Sequence, residues 1–254
     1  MHVSGKVDPL DDVETINLEL IFADLESIEK RYTRISKIAR TKDKDAVREL
    51  EILEKIKTTL EEGKSARTIE FTPEEEPLVK SLFLLTTKPV LYVANISEED
   101  VIAGGDNEMV QAVREFAATE GAEVVTVCAR IEEEVAELDD EEKAEFLAEL
   151  GIKESGLDQL IRKAYTLLGL GTYFTAGEKE VRAWTFRLGM KAPQTAGIIH
   201  TDFERGFIRA ETVSYADLLA YGSMQAAKEA GNVRLEGKDY VVQDGDVMEF
   251  RFNV

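Results

Sequence analysis

An amide and a carboxylate stand three residues apart at the end of an apolar run. In the stretch VLYVANISEED, residues 90–100, Asn95 closes the run and Glu98 lies in the polar turn that follows. An amide and a carboxylate held at such a point can read the edge of a nucleobase through hydrogen bonds. Taken alone, N-x-x-E is a very weak motif, and a helix-capping role for Ser97 is the better interpretation of the stretch. Its meaning depends on the elements around it.

The other reactive side chains do not indicate metal or nucleophilic chemistry. His2 and His200 are the only histidines, and no carboxylate or cysteine cluster accompanies either at metal-ligand spacing. Neither has a serine or cysteine that suggests a triad. Cys128 is the single cysteine, which excludes an internal disulfide and suits a reducing, cytoplasmic compartment. We interpret it as a buried thiol at a strand end, and we expect no catalytic residue and no metal ligand.

Charge is distributed unevenly along the chain. Its 254 residues carry a formal net charge of −20, which discourages general nucleic-acid binding. Residues 30–48 reverse this balance with eight basic and two acidic side chains. Such an excess predicts either a polyanion contact or simply a solvated helical face. No apolar run approaches the roughly 18 residues of a membrane span, so we expect no membrane partner.

The N-terminal block has the pattern of a helical hairpin. Asp11 or Asp12 is expected to cap a helix that begins near Val13. Two apolar stripes with coiled-coil spacing flank a polar gap at residues 41–45, and Gly63 follows the second stripe as a helix-ending residue. The stripes are Leu18, Phe22, Leu25, Ile28, Tyr32, Ile35 and Ala39, then Ala46, Leu50, Leu53, Ile56 and Leu60. The basic segment lies at the predicted tip.

Residues 65–168 alternate helix and strand. We expect a capping box at residues 72–75, strands at 88–94 and 122–129, and a helix between them that Asp106 caps and Gly121 ends. This order predicts a parallel βαβ unit. Two strands make an incomplete sheet, whose open edge favours self-association. The acidic run 132–149 is predicted to be one solvated helix.

The C-terminal block has short strands and tight turns. EVRAWTFRLG and AGIIHTDF are expected to pair as a hairpin, SYADLLAYG to form a helix, and DYVVQDGDVMEFRF to form a final hairpin that turns at Asp244-Gly245. The order fits a β-grasp, ubiquitin-like fold. Trp184 is interpreted as a core side chain.

These residues together resemble the YchF family of Obg-like ATPases. The stretches that carry the resemblance are HVSGKVDPLDD, KPVLYVANISE, TYFTAGEKEVRAWTFRLGMKAPQTAGIIHTDFERGFIRAE and RLEGKDYVVQDGDVMEFRFNV. The resemblance implies an α/β fold with a helical coiled-coil hairpin, part of a Ras-like P-loop NTPase sheet and a C-terminal TGS domain of β-grasp type. The expected limits are 1–12 for a remnant of the G domain, 13–66 for the hairpin, 67–168 for the rest of the G domain and 169–254 for the TGS domain.

The resemblance also gives the opening motif a role. Ras-like domains read the base with Asn-Lys-x-Asp, and the Asn-x-x-Glu variant accompanies a preference for ATP. It implies that Asn95, Ile96 and Glu98 lie at the adenine, and that Cys128 and Ala129 form the last nucleotide loop. The backbone amide and carbonyl of Ile96 are expected to match the adenine edge.

The phosphate-binding half of such a site is not found in the sequence. No G-x-x-x-x-G-K-[ST] occurs, since Gly5-Lys6 is followed by Val7 and lacks the upstream glycine. The chain is therefore expected to begin partway through a G domain, to lack the ligands for the Mg²⁺ that accompanies ATP, and to be inactive in hydrolysis. The resemblance implies a translation-associated ATPase that binds the ribosome. The alternative is a ribosome- or structured-RNA-binding module without nucleotide chemistry, which contacts its partner through Arg34, Lys37, Arg40, Lys42 and Lys44 and the TGS domain.

Overall fold

A computed structural model describes residues 7–177 and 180–253 in two compact units, which divide between Leu160 and Ile161. His2, Gly5-Lys6 and the rest of residues 1–6 lie outside the described residues. The helices are α1 Pro9–Ala39, α2 Lys44–Glu61, α3 Glu76–Ser81, α4 Glu98–Ile102, α5 Glu108–Thr119, α6 Ala129–Val135, α7 Asp140–Glu149, α8 Gly156–Leu167, α9 Ala192–Ile199, α10 Thr201–Arg205, α11 Tyr215–Tyr221 and α12 Met224–Glu229. The strands are β1 Leu91–Asn95, β2 Glu123–Val127, β3 Leu170–Ala176, β4 Val181–Arg187, β5 Phe207–Ser214, β6 Arg234–Glu236 and β7 Asp246–Phe252.

Helices α1 and α2 pack as a pair along an apolar core. The first helix begins earlier than expected, because Asp8 rather than Asp11 or Asp12 is the N-cap and Pro9 occupies the first turn. Gly63 follows α2 with φ of 74°, as predicted for the residue after a helix end. The prediction of the first stripe is wrong in part. Leu18 and Phe22 are exposed, and Ile21 and Asp24 are buried instead. The second stripe is buried or partly buried throughout.

The connection from α2 to β1 is fixed to the helical pair by hydrogen bonds. A short 3-10 helix, Ala66–Thr68, is followed by α3. The expected capping box forms only in part: Glu75 accepts a hydrogen bond from the amide of Thr72, but the helix begins later, at Glu76. The buried carboxylate of Asp24 holds the segment before β1 by accepting from the amides of Leu85 and Thr86.

Strands β1 and β2 pair in parallel, with α5 as the crossover, which confirms the βαβ prediction. Both strands are shorter than expected. Asn107, not Asp106, caps α5 by accepting from the amide of Val110 at 2.9 Å, while Asp106 pairs with Arg114. Gly121 follows the helix with φ of 67°, as predicted. Among the described residues this sheet has two strands.

The acidic run does not form one solvated helix. It forms α6 and α7, which break at Asp139, the N-cap of α7. Their inner faces bury Ile131, Val135 and Leu147 with Cys128. The acidic run therefore also contains apolar side chains that form a small buried cluster. Its high charge alone does not indicate them.

The second unit contains a five-stranded sheet in the order β4-β3-β7-β5-β6. Strands β3 and β4 form an antiparallel hairpin, whereas β3 and β7 lie parallel. Two predicted hairpins are wrong. AGIIHTDF forms the second half of α9 and the start of α10. The residues after Tyr240 lead through a turn into β7, which pairs with β3 and β5 and not with the segment just before it. The predicted helix at SYADLLAYG is confirmed as α11.

The core of the second unit lies between the sheet and α9. Tyr173 and Phe186 are fully buried there. Trp184 is partly buried and packs against this cluster, so its predicted core role is confirmed in part. The tyrosine hydroxyl donates to the carbonyl of Thr195 at 2.8 Å. No helix in the described parts of the chain is long and apolar enough to cross a membrane.

Candidate functional site

The two parallel strands bring the predicted base-reading segment and the predicted last loop together. Asn95 pairs in register with Val127, so both strands end at the same edge. The side-chain oxygen of Asn95 accepts a hydrogen bond from the backbone amide of Ala129 at 3.1 Å. Asn95 and Ala129, which are 34 residues apart in sequence, are therefore neighbours at this edge of the sheet. Ligands of parallel sheets commonly bind at this carboxyl edge.

The bond to Ala129 also fixes the orientation of the Asn95 amide. Because Oδ1 accepts from the backbone, Nδ2 is left facing the other way as a donor. The amide of Ile96 is already committed, since it donates to the carbonyl of Val127 at 2.9 Å. The expectation that the Ile96 amide serves the adenine is therefore wrong: extension of the sheet by one residue uses that donor.

Ser97 caps α4, and Glu98 is the first residue of that helix. The Ser97 hydroxyl accepts from the amide of Asp100 at 3.2 Å, so the capping interpretation is correct. The capping role of Ser97 does not exclude a base-reading role for Asn95 and Glu98. The carboxylate of Glu98 lies 3.8 Å from Arg130 Nε and is only partly exposed. Glu98 is thus placed by its helix start and by Arg130, which directly follows the predicted loop residues Cys128 and Ala129 and whose pairing with Glu98 the sequence does not indicate.

Cys128 contributes burial rather than a reactive group. Cys128 is 6% exposed and belongs to the apolar cluster under α6. It forms the N-cap position of α6 without a side-chain bond. Its burial among apolar side chains agrees with a structural thiol. No group of three or more metal-ligating side chains occurs in the described chain.

A pocket of about 450 Å³ runs along β1 beside this edge. It is lined by the strand itself, by the start of α1 and by one face of α5, and it reaches Asn95 and Ile96. Val93 and Met109 expose about half of their surface there. The edge of β1 that faces away from β2 thus adjoins an apolar recess.

The predicted basic residues lie around the turn between α1 and α2, remote in sequence from the sheet. Arg34, Lys37, Arg40, Lys42 and Lys44 are all exposed. Lys42 has a positive φ of 63°, which makes the turn tight. No ion pair neutralises these five within the described residues, whereas Arg31, one turn before Arg34, pairs with Glu49. We call these five residues the basic tip.

The architecture defines a class: a mixed α/β protein that resembles the YchF and Obg-like GTPases. The structure of the YchF GTPase of Schizosaccharomyces pombe matches 99% of this chain and 68% of that chain, with a TM-score of 0.87 and 36% identity. A GTP binding protein from Pyrococcus horikoshii OT3 matches 97% of this chain and 72% of its own, with a TM-score of 0.59 and 16% identity. The second likeness shows the fold alone.

Sequence comparison is more specific. Residues 170–253 match the family model YchF-GTPase_C, described as a protein of unknown function (DUF933). The Ribosome-binding ATPase YchF of Bacillus subtilis is 69% identical over 253 residues, and that of Escherichia coli O157:H7 is 53% identical over 254 residues. In both cases the match covers 100% of this chain and 69% of the relative. The chain belongs to the YchF family.

Proposed function

We propose that this chain supplies the adenine-facing side of an ATP site in a cytoplasmic, ribosome-binding ATPase associated with translation. The observation that carries the proposal is the hydrogen bond between Asn95 Oδ1 and the Ala129 amide. It joins the two strand ends that, in Ras-like domains, face the base. The names of the two relatives, both ribosome-binding ATPases of the YchF type, agree with it.

The polar groups at this edge suit adenine. Asn95 Nδ2 remains a donor for a ring nitrogen, and the Glu98 carboxylate is an acceptor for an exocyclic amine. Arg130 holds Glu98 only loosely, at 3.8 Å, so the carboxylate can exchange that partner for a ligand. In this proposal Ile96 contributes its carbonyl, and Cys128 contributes packing under the Ala129 loop.

Bound ATP with Mg²⁺ would supply the phosphoryl group for transfer, while these residues orient the base. We propose that the 254-residue chain binds ATP weakly and does not hydrolyse it, because its sequence has no phosphate-binding loop. Base contacts without phosphate contacts give a dissociation constant of about 1 mM or weaker.

Nuclear magnetic resonance titration with ATP and GTP tests the base site. Resonances of Asn95, Glu98 and Ala129 should shift with ATP at millimolar concentration and less with GTP. Asn95→Ala should abolish these shifts, whereas Thr119→Ala, at the exposed C-terminal end of α5 before β2 begins, should retain them. Micromolar ATP affinity, or equal shifts in the Asn95→Ala variant, would show that the site is elsewhere.

The basic tip supports a second function, contact with ribosomal RNA. Its five side chains are exposed on a chain of net charge −20, so the tip is a local exception to the charge of the molecule. Contacts from Lys and Arg to phosphates dominate nucleic-acid affinity and weaken steeply with salt. This is the proposal for the ribosome partner, and it needs no nucleotide chemistry.

Co-sedimentation with ribosomes at low salt tests the basic tip. The double variant Arg40→Glu/Lys42→Glu should lose binding, because it replaces two phosphate contacts with repulsive charges. Lys64→Glu/Lys80→Glu changes the net charge equally at exposed sites away from the tip and should bind as the parent does. If both variants bind equally, the tip is a solvated face.

We further propose the domain limits 1–12, 13–66, 67–168 and 169–254, with a TGS domain of β-grasp type at the C-terminus. The strand order β4-β3-β7-β5-β6 supports the last assignment. Its first and last strands in sequence, β3 and β7, lie parallel at the centre of the sheet, the arrangement of ubiquitin-like folds. The coiled-coil character of α1 and α2 is part of the same proposal.

A further inference from the structure

Phe83, the second residue after α3, carries its ring into solvent. It is 85% exposed, more than any other large apolar residue in the described chain. Its backbone has a positive φ of 53°, in a left-handed region that a bulky side chain disfavours and that glycine usually occupies after a helix. Burial and backbone preference therefore both favour a smaller residue here. Such an outlier indicates a function rather than a contribution to folding.

The segment that carries the ring is firmly held. Leu84, the next residue, is 2% exposed and belongs to the apolar core of the helical pair. The amides of Leu85 and Thr86 donate to the buried carboxylate of Asp24 at 2.8 and 2.7 Å. The ring is thus presented from a fixed backbone, which reduces the entropy that a ligand or partner loses by ordering it.

The surface next to the ring is polar and has a free cation. Residues 77–97 contain two lysines, Lys80 and Lys88, and no Asp or Glu. Lys80 is paired with Glu76, one helical turn away. Lys88 is exposed and has no ion pair within the part of the chain that the structure describes. This segment therefore does not repel a polyanion, although the whole chain has a net charge of −20.

The ring does not belong to a broad apolar patch. Leu84 is buried, Leu82 is partly buried, and Leu85 is 39% exposed. Protein partners recognise contiguous apolar patches of a few hundred Å². A single rigid aromatic ring beside a cation suits a flat, anionic partner instead. Nucleobases stack on such rings in proteins that bind single-stranded nucleic acids, while cations contact the backbone.

We propose that Phe83 stacks on an unpaired base of single-stranded RNA and that Lys88 contacts the phosphate beside that base. The fixed backbone holds the ring ready, and stacking tolerates any base because every base has a π face. The choice of RNA rests on the ribosome partner proposed above. The site itself does not include the basic tip, so the two proposals fail separately.

Fluorescence anisotropy with the full chain tests the stacking. The probes are fluorescein-labelled oligo(U) RNA and a labelled RNA duplex of equal length. Phe83→Gly should weaken oligo(U) binding about fivefold or more, the contribution of one stacked base, and leave duplex binding unchanged. Arg40→Glu/Lys42→Glu should weaken both, because phosphate contacts need no unpaired base. If only this double variant has no effect, the basic tip fails and the stacking stands. Equal oligo(U) binding by the parent and Phe83→Gly overturns the stacking.

The same glycine variant separates binding from folding. Glycine adopts the positive φ without strain, so Phe83→Gly should unfold at about the same urea concentration as the parent. Phe22→Ala is the matched control, because it removes another exposed phenylalanine, 65% exposed on α1. It should change the binding of neither probe. If Phe22→Ala weakens oligo(U) binding as much as Phe83→Gly does, exposed apolar surface in general is responsible and the proposal is wrong.

Two further substitutions distinguish stacking from simple apolar contact. Phe83→Trp should keep or increase oligo(U) affinity, and oligo(U) should quench the fluorescence of the new indole but not that of the parent. Phe83→Leu keeps an apolar side chain without a π face and should bind oligo(U) as weakly as Phe83→Gly. If Phe83→Leu binds as the parent does, or if the indole is not quenched at saturating oligo(U), Phe83 serves an apolar protein partner instead and the RNA proposal is refuted.

Discussion

Asp24 illustrates how one side chain in α1 fixes a distant segment. Its residue is 3% exposed, and its carboxylate accepts from the amides of Leu85 and Thr86 at 2.8 and 2.7 Å and from the Thr86 hydroxyl at 2.6 Å. Thr86 in turn accepts from the amide of Arg67 through its carbonyl. Hydrogen bonds to an ionised acceptor are stronger than neutral ones, so this carboxylate sets the path of the chain before β1.

Replacing Asp24 with Ala should therefore destabilise the first unit by about 3 kcal/mol, since two buried donors and one partly buried donor lose their acceptor. Far-ultraviolet circular dichroism during urea unfolding measures this loss, because the helices dominate the signal of this unit. Glu26→Ala is the matched control. Glu26 is exposed and pairs with Lys30 one turn away, so its removal should leave the urea midpoint nearly unchanged. Equal effects of the two changes would show that the Asp24 bonds contribute nothing special.

Two tyrosines of the second unit make its stability sensitive to alkali. Burial, and then the hydrogen bond to Asp246, raise the pKa of Tyr240 from 10.0 to about 12. Burial also raises the pKa of Tyr173. In both cases folding favours the neutral phenol. This contribution is fully present below pH 10 and is lost as the pH rises through the folded-state pKa.

The second unit should accordingly lose stability between pH 10 and about 12. Fluorescence of Trp184, the only tryptophan, reports its unfolding, and phenolate absorbance reports ionisation. Tyr240→Phe should make the loss shallower across this range, although it also removes the bond to Asp246. An unchanged pH profile in that variant would contradict the assignment.

At the scale of the elements, the end of β7 lies against Gly206, the residue that precedes β5. The carbonyl of Gly206 accepts from the amide of Asn253 at 2.9 Å. A Cβ atom on Gly206 would overlap the backbone carbonyl of Asn253. The close approach of the two backbones, and not a special dihedral angle, is what requires glycine here.

Gly206→Ala should destabilise the second unit by about 2 kcal/mol, because the backbone of the last residues must move to make room. Gly237→Ala is the control: a Cβ there meets nothing within 4 Å, so this change should be neutral or slightly stabilising. Urea unfolding followed by Trp184 fluorescence compares the two. A stable Gly206→Ala variant would mean that the end of β7 is loosely held.

For the molecule as a whole, the edge of β1 that does not pair with β2 is a surface at which another chain can bind. Among the described residues the strand pairs on one side only, with β2, and the apolar pocket lies along it. An unpaired edge beside apolar surface favours pairing with another extended segment. We propose that this edge associates with a second copy of the chain.

Sedimentation velocity should then show association that increases with protein concentration. Val93→Lys places a charge on the exposed middle of β1, where Val93 is 48% exposed, and should abolish association. Leu235→Lys makes the same change on β6, an edge strand of the other sheet, at a residue 62% exposed, and should not. A compact monomer at all concentrations would refute the proposal.

Features that depend on neighbouring residues could be predicted from the amino-acid sequence. Helix ends at Gly63 and Gly121 follow from the left-handed backbone that glycine adopts easily. The α2 stripe and the parallel βαβ order follow from periodicity and from the handedness of crossovers. The resemblance to the YchF family is carried by whole stretches of sequence, so it needs no knowledge of which segments meet in space.

The meeting of distant segments, in contrast, depends on the tertiary structure. AGIIHTDF has the β-branched residues of a strand, yet it forms the second half of α9 and the start of α10. The small buried Ala192 and Ala196 of α9 allow this helix to pack closely on the sheet. β7 pairs with β3 and β5, a central position that buries its Val247 and Met248. The amide of Ile96 is used by Val127, a residue of another strand. Which segments pair depends on the apolar surface that the whole fold buries. A local sequence pattern does not contain that information.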